Sequence, residues 1–329
     1  MREPAFWGRP AGVAASLLAP AAALYGTVAA WRLARPGAAA GIPVLCIGNL
    51  TAGGAGKTPT AMAVARLLRE AGRRPFVLSR GYGGRLPGPL QVDPVVHGAA
   101  DVGDEPLLLA RAAPTIVARD RVAGAAAGRA AGANVIVMDD GFQNPSLRKD
   151  LSLLVIDGRR GIGNGKVIPA GPLRAPLAAQ LSRAHAALVI GPPAGAAPVL
   201  AAAPNLPVFH GRLEPDSEAV AALRPHQVLA FAGIGDPEKF FATLTDAGIE
   251  VRARQAFPDH HRYRRGEAAD LIDRAARDGL TLVTTEKDLV RLSGADDVRA
   301  LAAIAHALPV TLKVEEAEAF RHFMLARAG

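Results

Sequence analysis

The feature that most constrains this chain is the octapeptide Thr51-Ala-Gly-Gly-Ala-Gly-Lys-Thr58, set between a short apolar run and an amphipathic one. Residues 43–48 read as a buried strand ending in a turn. Pro59 fits the first turn of a helix whose apolar positions include Met62, Val64, Ala65, Leu67 and Leu68, with Gly72 at its end. Strand, glycine-rich loop, helix is the order that a phosphate cradle needs. Gly53, Gly54 and Gly56, with Ala55 among them, let the backbone wrap closely and turn its N–H groups toward anionic oxygen, and the helix start adds its dipole. Lys57 is placed to reach the β- and γ-phosphates, and the Thr58 hydroxyl to ligate Mg²⁺. Thr51 stands where the usual pattern has its first glycine, and Gly48 does not lie at that spacing. Gly-Lys-Thr in this element order still marks a nucleotide site.

Beyond the loop the chain alternates. Short apolar strands are expected at 75–79, 115–118, 134–138, 151–156 and 186–190, with alanine-rich helical stretches around 120–131 and 173–182. This pattern predicts the α/β class, with a P-loop NTPase-like, mostly parallel sheet. The Pro- and Ala-rich stretch 191–207 reads as a loop or domain boundary. A second alternation follows, with strands at 228–232, 249–253 and 280–284, helices near 237–247 and 266–277, a strand at 308–314 and a closing helix from Glu315. The expected organisation is a P-loop lobe over 37–205, a second, smaller α/β lobe over 206–329, and a cleft between them. The 329 residues are ample for two lobes. With half of them apolar and 21% charged, the chain is neither disordered nor a coiled coil. The single cysteine, Cys46, excludes an intramolecular disulfide and an all-cysteine metal cluster.

An apolar strand running into Asp139-Asp140 supplies the acidic partner that a P-loop enzyme uses for Mg²⁺, and spacing does not choose between the two. A GTPase would carry Asn-Lys-x-Asp. Thr285-Glu-Lys-Asp288 lacks the asparagine and reads either as a nucleotide-facing loop or as a helix cap. A kinase also needs a group to take the acceptor hydroxyl's proton. Gly103-Asp104-Glu105-Pro106 is one source, although composition alone favours an exposed turn there. Pro258-Asp259-His260-His261 is the other, its imidazole suited to relay with a distant aspartate once the second lobe closes over the first. The cysteine and the remaining histidines supply no spaced partners for zinc. Arg80 and Arg119 are candidate phosphate contacts, with Arg119 reading equally well as an ordinary surface arginine. A net charge of +8 suits an anionic partner, while aromatics at 5% without basic interleaving argue against a specific nucleic-acid platform. No segment points to an obligate protein partner.

From Ala11 to Trp31 no residue is charged, and Arg9, Arg32 and Arg35 flank the stretch. It is long enough to reach about 30 Å, but it is rich in Ala and Gly and contains Pro20. The expectation for residues 1–36 is a membrane-associated helix, flat or shallowly inserted, with the catalytic body in the cytosol. Tyr25 and Trp31 suit headgroup depth and the arginines suit lipid phosphate.

Several motifs follow in order along the chain: Pro4-Ala-Phe-Trp7, Gly48-Asn-Leu-Thr51 running on to Pro59, Ser79-Arg-Gly-Tyr-Gly-Gly84, Gly103-Asp-Glu-Pro106 and Asp139-Asp-Gly-Phe-Gln143. Further on are Gly163-Asn-Gly165, Pro169-Ala-Gly-Pro-Leu-Arg174, Phe257-Pro-Asp-His-His261 and Thr285-Glu-Lys-Asp288. Together they resemble the tetraacyldisaccharide 4′-kinase family, the membrane-associated P-loop kinases of lipid A biosynthesis in Gram-negative bacteria. The phosphate loop alone is generic; the linked set is specific and covers nearly the whole chain. The resemblance implies that ATP phosphorylates the 4′-hydroxyl of a tetraacyl glucosamine disaccharide 1-phosphate to give lipid IVA. The site is then the cytoplasmic face of the inner membrane, with attachment through the N-terminus. It further implies Lys57 and Thr58 on phosphate and Mg²⁺, Asp139 and Asp140 completing the metal site, and Asp104 as base assisted by His260. Arg80, Asn164 and Arg174 are implied as substrate contacts. The family often continues Pro-Leu-Arg with Glu-Pro, whereas this chain has Ala175-Pro176, so a role for that glutamate has no counterpart here.

Overall fold

The computed structural model describes residues 4–293 and 298–329. At its amino end a 3₁₀ turn, Ala5–Gly8, precedes α1 (Val13–Leu17) and α2 (Ala19–Ala34). The helices break at Leu18, and Pro20 sits in the first turn of α2, where a missing N–H leaves no bond unmade. The sixteen residues of α2 make a helix about 24 Å long. Among the described residues no helix is long and apolar enough to cross a membrane.

The central sheet has nine strands. They are β1 (Val44–Gly48), β2 (Pro75–Ser79), β3 (Leu90–Gln91), β4 (Thr115–Val117), β5 (Val135–Asp139), β6 (Leu151–Asp157), β7 (Ala186–Ile190), β8 (Val208–Pro215) and, from the far end of the chain, β13 (Val310–Val314). Their spatial order is β13-β8-β7-β6-β1-β5-β2-β4-β3. The inner strands pair in parallel, and the edge strands β13 and β3 run antiparallel to their neighbours. Both faces are covered, as a parallel sheet requires. In β1, Leu45 and Ile47 join a core with Ala61, Val64 and Leu68 of α3 (Lys57–Glu70), while Val44 and Cys46 join one with Ala125 of α6 (Arg121–Ala130) on the other face. The short helices α4 (Ala99–Val102), α5 (Asp104–Leu109), α7 (Leu177–Leu181) and α8 (Ala197–Ala202) fill the connections.

A second sheet, wholly parallel, holds β9 (Gln227–Ala232), β10 (Glu250–Ala256), β11 (Thr281–Thr285) and β12 (His306–Leu308) in the order β10-β9-β11-β12. Around it lie α9 (Ser217–Leu223), α10 (Pro237–Asp246), α11 (Arg265–Asp278), α12 (Glu286–Ser293) and α13 (Arg299–Ile304), and α14 (Ala317–Leu325) closes the chain. The expected division at 205/206 does not hold. β8, β13 and α14 all belong to the first lobe, because β8 continues the parallel ladder from β7 and Phe209 packs edge-on against Phe320, 5.2 Å between ring centroids. The stretch 191–207 is accordingly not a boundary but the β7–β8 crossover, carrying the turn Pro193–Ala196 and α8. The expected strand 308–314 is split at Pro309 into β12 in one sheet and β13 in the other. Pro309 O accepts from Asp216 N at 2.9 Å, which joins the two points where the chain passes between lobes. The helix expected over 173–182 shrinks to α7, since Leu173 bridges to Thr51 and Val167 and Pro176 precedes the first turn.

The carboxyl ends of the two sheets face each other across a cleft, the usual ligand position of open α/β sheets. Lys239 to Asp157 (3.0 Å) and Arg159 to Asp236 (2.7 Å) bridge it on one side. Lys287 to Glu105 (2.6 Å) and Arg111 to Glu286 (3.0 Å) bridge it on the other.

The turn out of β1 tolerates no side chain. A Cβ on Gly48 would lie 2.3 Å from Phe142 Cβ, an atom fixed by its own backbone. Gly48→Ala is therefore expected to destabilise the chain by about 1–3 kcal/mol, read as a lower denaturant midpoint. An unchanged midpoint would show that Phe142 can move aside.

Candidate active site

The loop after β1 is a backbone cradle. Gly53 and Gly56 have φ values of +94° and +91°, which L side chains rarely adopt, and Gly56 forms the N-cap of α3 without any side-chain cap. The first N–H groups of α3 thus remain directed at the cleft. Asn49 steadies the loop by donating Nδ2 to Gly53 O at 3.2 Å, and Gln143 Nε2 donates to Asn49 O at 2.7 Å. Thr58 is buried at the start of the helix. Its Oγ1 lies 3.4 Å from Glu105 Oε1.

Register places the acids. Ile47 of β1 pairs with Asp139 of β5, so the strand that delivers the loop lies beside the strand that delivers the carboxylates. Asp139 is 1% exposed and its Oδ1 has no hydrogen-bond partner. Burial, with repulsion from Glu105 and Asp140, pushes its pKa up to about 7. Asp140 sits at φ +47°, an uncommon conformation for a residue with a side chain. Burial would raise its pKa, but Lys57 (3.7 Å) and Arg174 (2.9 Å) hold it below the usual carboxylate range. Among the described residues no group of three or more His, Cys, Asp or Glu forms a metal cage. Mg²⁺ does not need one, because it is usually held by one or two carboxylates together with substrate phosphates and water. A buried carboxylate oxygen without a partner, crowded by two like charges, fits a divalent cation.

Asp104 opens α5 and is 4% exposed, so the composition-based expectation of a solvent turn fails there. Its Oδ2 accepts from Arg291 Nε at 2.7 Å and from Arg291 Nη2, and lies 3.5 Å from His260 Nδ1. Burial pushes this carboxyl's pKa up, but His260, Arg291 and Lys287 together bring it well below the ordinary value. Contact with Asp104 raises the pKa of His260 against the opposing effect of burial. His260 has φ +54° and its ring lies 5.2 Å from that of Tyr82. His261 turns the other way, with Nε2 2.8 Å from Glu267 and its ring stacked on Phe257, so the two adjacent histidines do different work.

The cleft thus brings together Gly53, Gly54, Ala55, Gly56, Lys57, Thr58, Asp104, Asp139, Asp140 and His260. Arg174 joins them by donating Nε to Thr51 O at 2.9 Å besides its pair to Asp140. Asn164 does not: its Nδ2 donates to Ala170 O and its Oδ1 accepts from Lys166 N, so the side chain shapes its own loop. Arg80 is exposed just past β2, two residues beyond the Leu78–Met138 register pair, and Arg119 is exposed on the surface. Ala175 is buried, and its carbonyl accepts from Gln180 Nε2 at 2.7 Å. Sequence reading held Asn49, Gln143 and Lys287 within its motifs without giving them individual roles, and it missed Arg291. For the last two the available signal was the Thr285–Asp288 capping pattern, with cations four residues apart on the helix that it begins.

A glycine loop on a parallel sheet, carboxylates at the end of the adjoining strand and an imidazole delivered from a second lobe define a P-loop phosphotransferase. The chain matches the family model described as tetraacyldisaccharide-1-P 4′-kinase over residues 14–328, and it belongs to that family. It is 66% identical over 304 residues to the tetraacyldisaccharide 4′-kinase of Methylobacterium sp. (strain 4-46), covering 92% of each chain. It is 58% identical to that of Rhodopseudomonas palustris (strain BisB18), covering 99% of this chain and 96% of the other. The crystal structure of LpxK from Aquifex aeolicus in complex with ATP is similar at a TM-score of 0.75 and 27% identity, over 96% of this chain and 99% of that one. Fold class and family are therefore those that the sequence implied.

The pair of Asp104 and His260 has a pH signature. A histidine whose pKa is raised on folding contributes stability below its unfolded value and loses it as pH rises through the folded one. The His260 resonance is expected to titrate above 6.5, and Asp104→Asn to lower that midpoint. NMR titration in both proteins checks this; identical midpoints would remove Asp104 as the cause.

Proposed function

We propose that this chain transfers the γ-phosphoryl group of ATP to the 4′-hydroxyl of a tetraacyl glucosamine disaccharide 1-phosphate, giving lipid IVA. The observation that carries the reading is the meeting of the phosphate cradle with Asp104 and His260, from opposite lobes, in one cleft. The acceptor oxygen forms its bond to the γ-phosphorus while the bond to the β,γ-bridging oxygen breaks and ADP leaves. The acceptor's proton passes to Asp104 as the new bond forms, since a sugar hydroxyl is far too weak an acid to ionise first. His260 holds Asp104 in place and stabilises its charge. Lys57 lies beside the phosphate loop and neutralises charge on the transferring group, and α3 adds its N–H groups. Thr58 with Asp139 and Asp140 would hold Mg²⁺, which supplies charge neutralisation for the phosphoryl oxygens when bound. Arg174 keeps Asp140 and the start of the loop in register, and Arg80, exposed just past β2, is available for an anionic head group.

The lipid acceptor gives the amino-terminal helices a purpose. Ala22, Gly26 and Leu33 of α2 face the protein, while Leu24, Val28 and Trp31 are exposed on another face and Val13 and Leu17 are exposed on α1. Arg35 stacks over the Trp31 ring at 5.2 Å, near Arg32. This apolar face rimmed by arginine suits shallow docking on an anionic bilayer at the cytoplasmic face of the inner membrane, with acyl chains remaining in the lipid.

Labelled γ-phosphate, offered with tetraacyl disaccharide 1-phosphate in detergent micelles, is expected to appear on the lipid in a Mg²⁺-dependent reaction. Lys57→Ala and Asp104→Ala should each lower the rate by roughly 100-fold or more. Folded, ATP-binding protein that leaves the lipid unlabelled would sink the reading. Separately, Leu24→Glu with Trp31→Glu should reduce co-sedimentation with vesicles containing anionic lipid several-fold while leaving ATP binding intact. Unchanged co-sedimentation would remove this face from membrane contact.

A further inference from the structure

Two cations on α12 have their partners in the other lobe. Lys287 Nζ lies 2.6 Å from Glu105 Oε1, and Arg291, one turn further on, reaches Asp104 Oδ2 with both Nε and Nη2. Residues four apart share a helix face, and here that face meets two consecutive carboxylates at the start of α5, one cation to each. The helix is built to present them. Thr285 caps it, its Oγ1 accepting from Asp288 N at 3.1 Å. Asp288 is fully buried and accepts from Gly233 N, from Tyr263 O–H at 2.9 Å and from Arg291 Nη1 at 2.8 Å. Arg291 Nη1 also donates to Gly233 O at 2.7 Å. One end of the guanidinium is therefore fixed within its own lobe, and the other end is left to Asp104.

The consequence is an asymmetric carboxylate. Oδ2 of Asp104 takes the Arg291 fork and faces His260, whereas Oδ1 makes no hydrogen bond among the described residues. Resting on the kinase reading above, we propose that Arg291 and Lys287 are inter-lobe positioning residues. Arg291 holds Oδ2 so that Oδ1 is the oxygen presented to the acceptor hydroxyl, and Lys287 anchors Glu105 beside Thr58. The proton-accepting side of the site is then complete only when the second lobe is docked. A guanidinium fork fixes the plane of the carboxylate, and a lysine at the same place supplies charge without that geometry.

The test uses the full chain with Arg291→Met, Arg291→Lys and Lys287→Met, each checked for its melting temperature. Amide hydrogen exchange needs no turnover: both methionine variants should exchange faster at the start of α5 and in Gly233–Asp236, and Arg291→Lys less so. In steady state, Arg291→Met should lower kcat by about 100-fold, with KM for ATP changed less than about threefold because the phosphate loop stands on the other lobe. Arg291→Lys should recover part of kcat. Unaltered exchange and kinetics in Arg291→Met would overturn the proposal. So would equal losses in kcat and ATP affinity together with a lowered melting temperature. If the variants give the exchange pattern while the wild-type chain leaves the lipid unlabelled, the functional reading falls and the clamp stands.

Discussion

The site depends on four carboxylates, Asp104, Glu105, Asp139 and Asp140, crowded at the carboxyl end of one sheet, and on the cations that make their burial tolerable. A buried carboxylate is held in its charged form when partners compensate the lost hydration. Lys57 and Arg174 do this for Asp140 from within the first lobe, and Arg291, Lys287 and His260 do it for Asp104 and Glu105 from the second. Asp139 is left without a hydrogen bond at Oδ1, and its pKa rises accordingly. Charge distribution thus separates the four into three paired with protein cations and one, Asp139, that has no hydrogen bond at Oδ1.

The same pairing explains why the lobes meet where they do. Several elements crossing the cleft carry charge opposite to the group they face: Lys239 toward Asp157, Asp236 toward Arg159, Lys287 toward Glu105. The exposed pairs among these contribute little to stability, about 0–1 kcal/mol each. Arg291 and Asp104 are both nearly buried, and removing either would strand the other's charge. The docking of the second lobe and the electrostatic state of Asp104 are therefore set by one and the same contact.

Much of this was legible in the sequence, and the limits have physical causes. The phosphate loop declared itself because glycines with positive φ and a following Lys-Thr leave few alternatives, and Asp139-Asp140 because an apolar strand ran into them. The lobe boundary misled because Pro- and Ala-rich composition marks short helices as readily as linkers, and nothing local in 208–215 says that it pairs with β7. A strand's sheet is decided by distant partners. The burial of Asp104 was invisible for the same reason, since its partners stand 156 and 187 residues away, at His260 and Arg291. Asn164 was implicated by motif, but its side chain is used by its own turn.

The two uncommon backbone conformations extend the argument. Among the described residues, Asp140 and His260 are the non-glycine positions with positive φ, and one stands on each lip of the cleft. Such conformations cost about 1–3 kcal/mol each and persist where the surroundings over-determine them. Asp140 N donates to Ile47 O while its carboxylate faces Lys57 and Arg174. His260 N donates to Gly233 O and to Asp259 Oδ1 while its ring sits between Asp104 and Tyr82. In both cases the backbone is bound first and the side chain is thereby aimed into the cleft. Gly233 ties these devices together, since its carbonyl receives both His260 N and Arg291 Nη1 and its N–H is held by Asp288. One backbone position in the second lobe therefore orients both groups that grip Asp104 in the first.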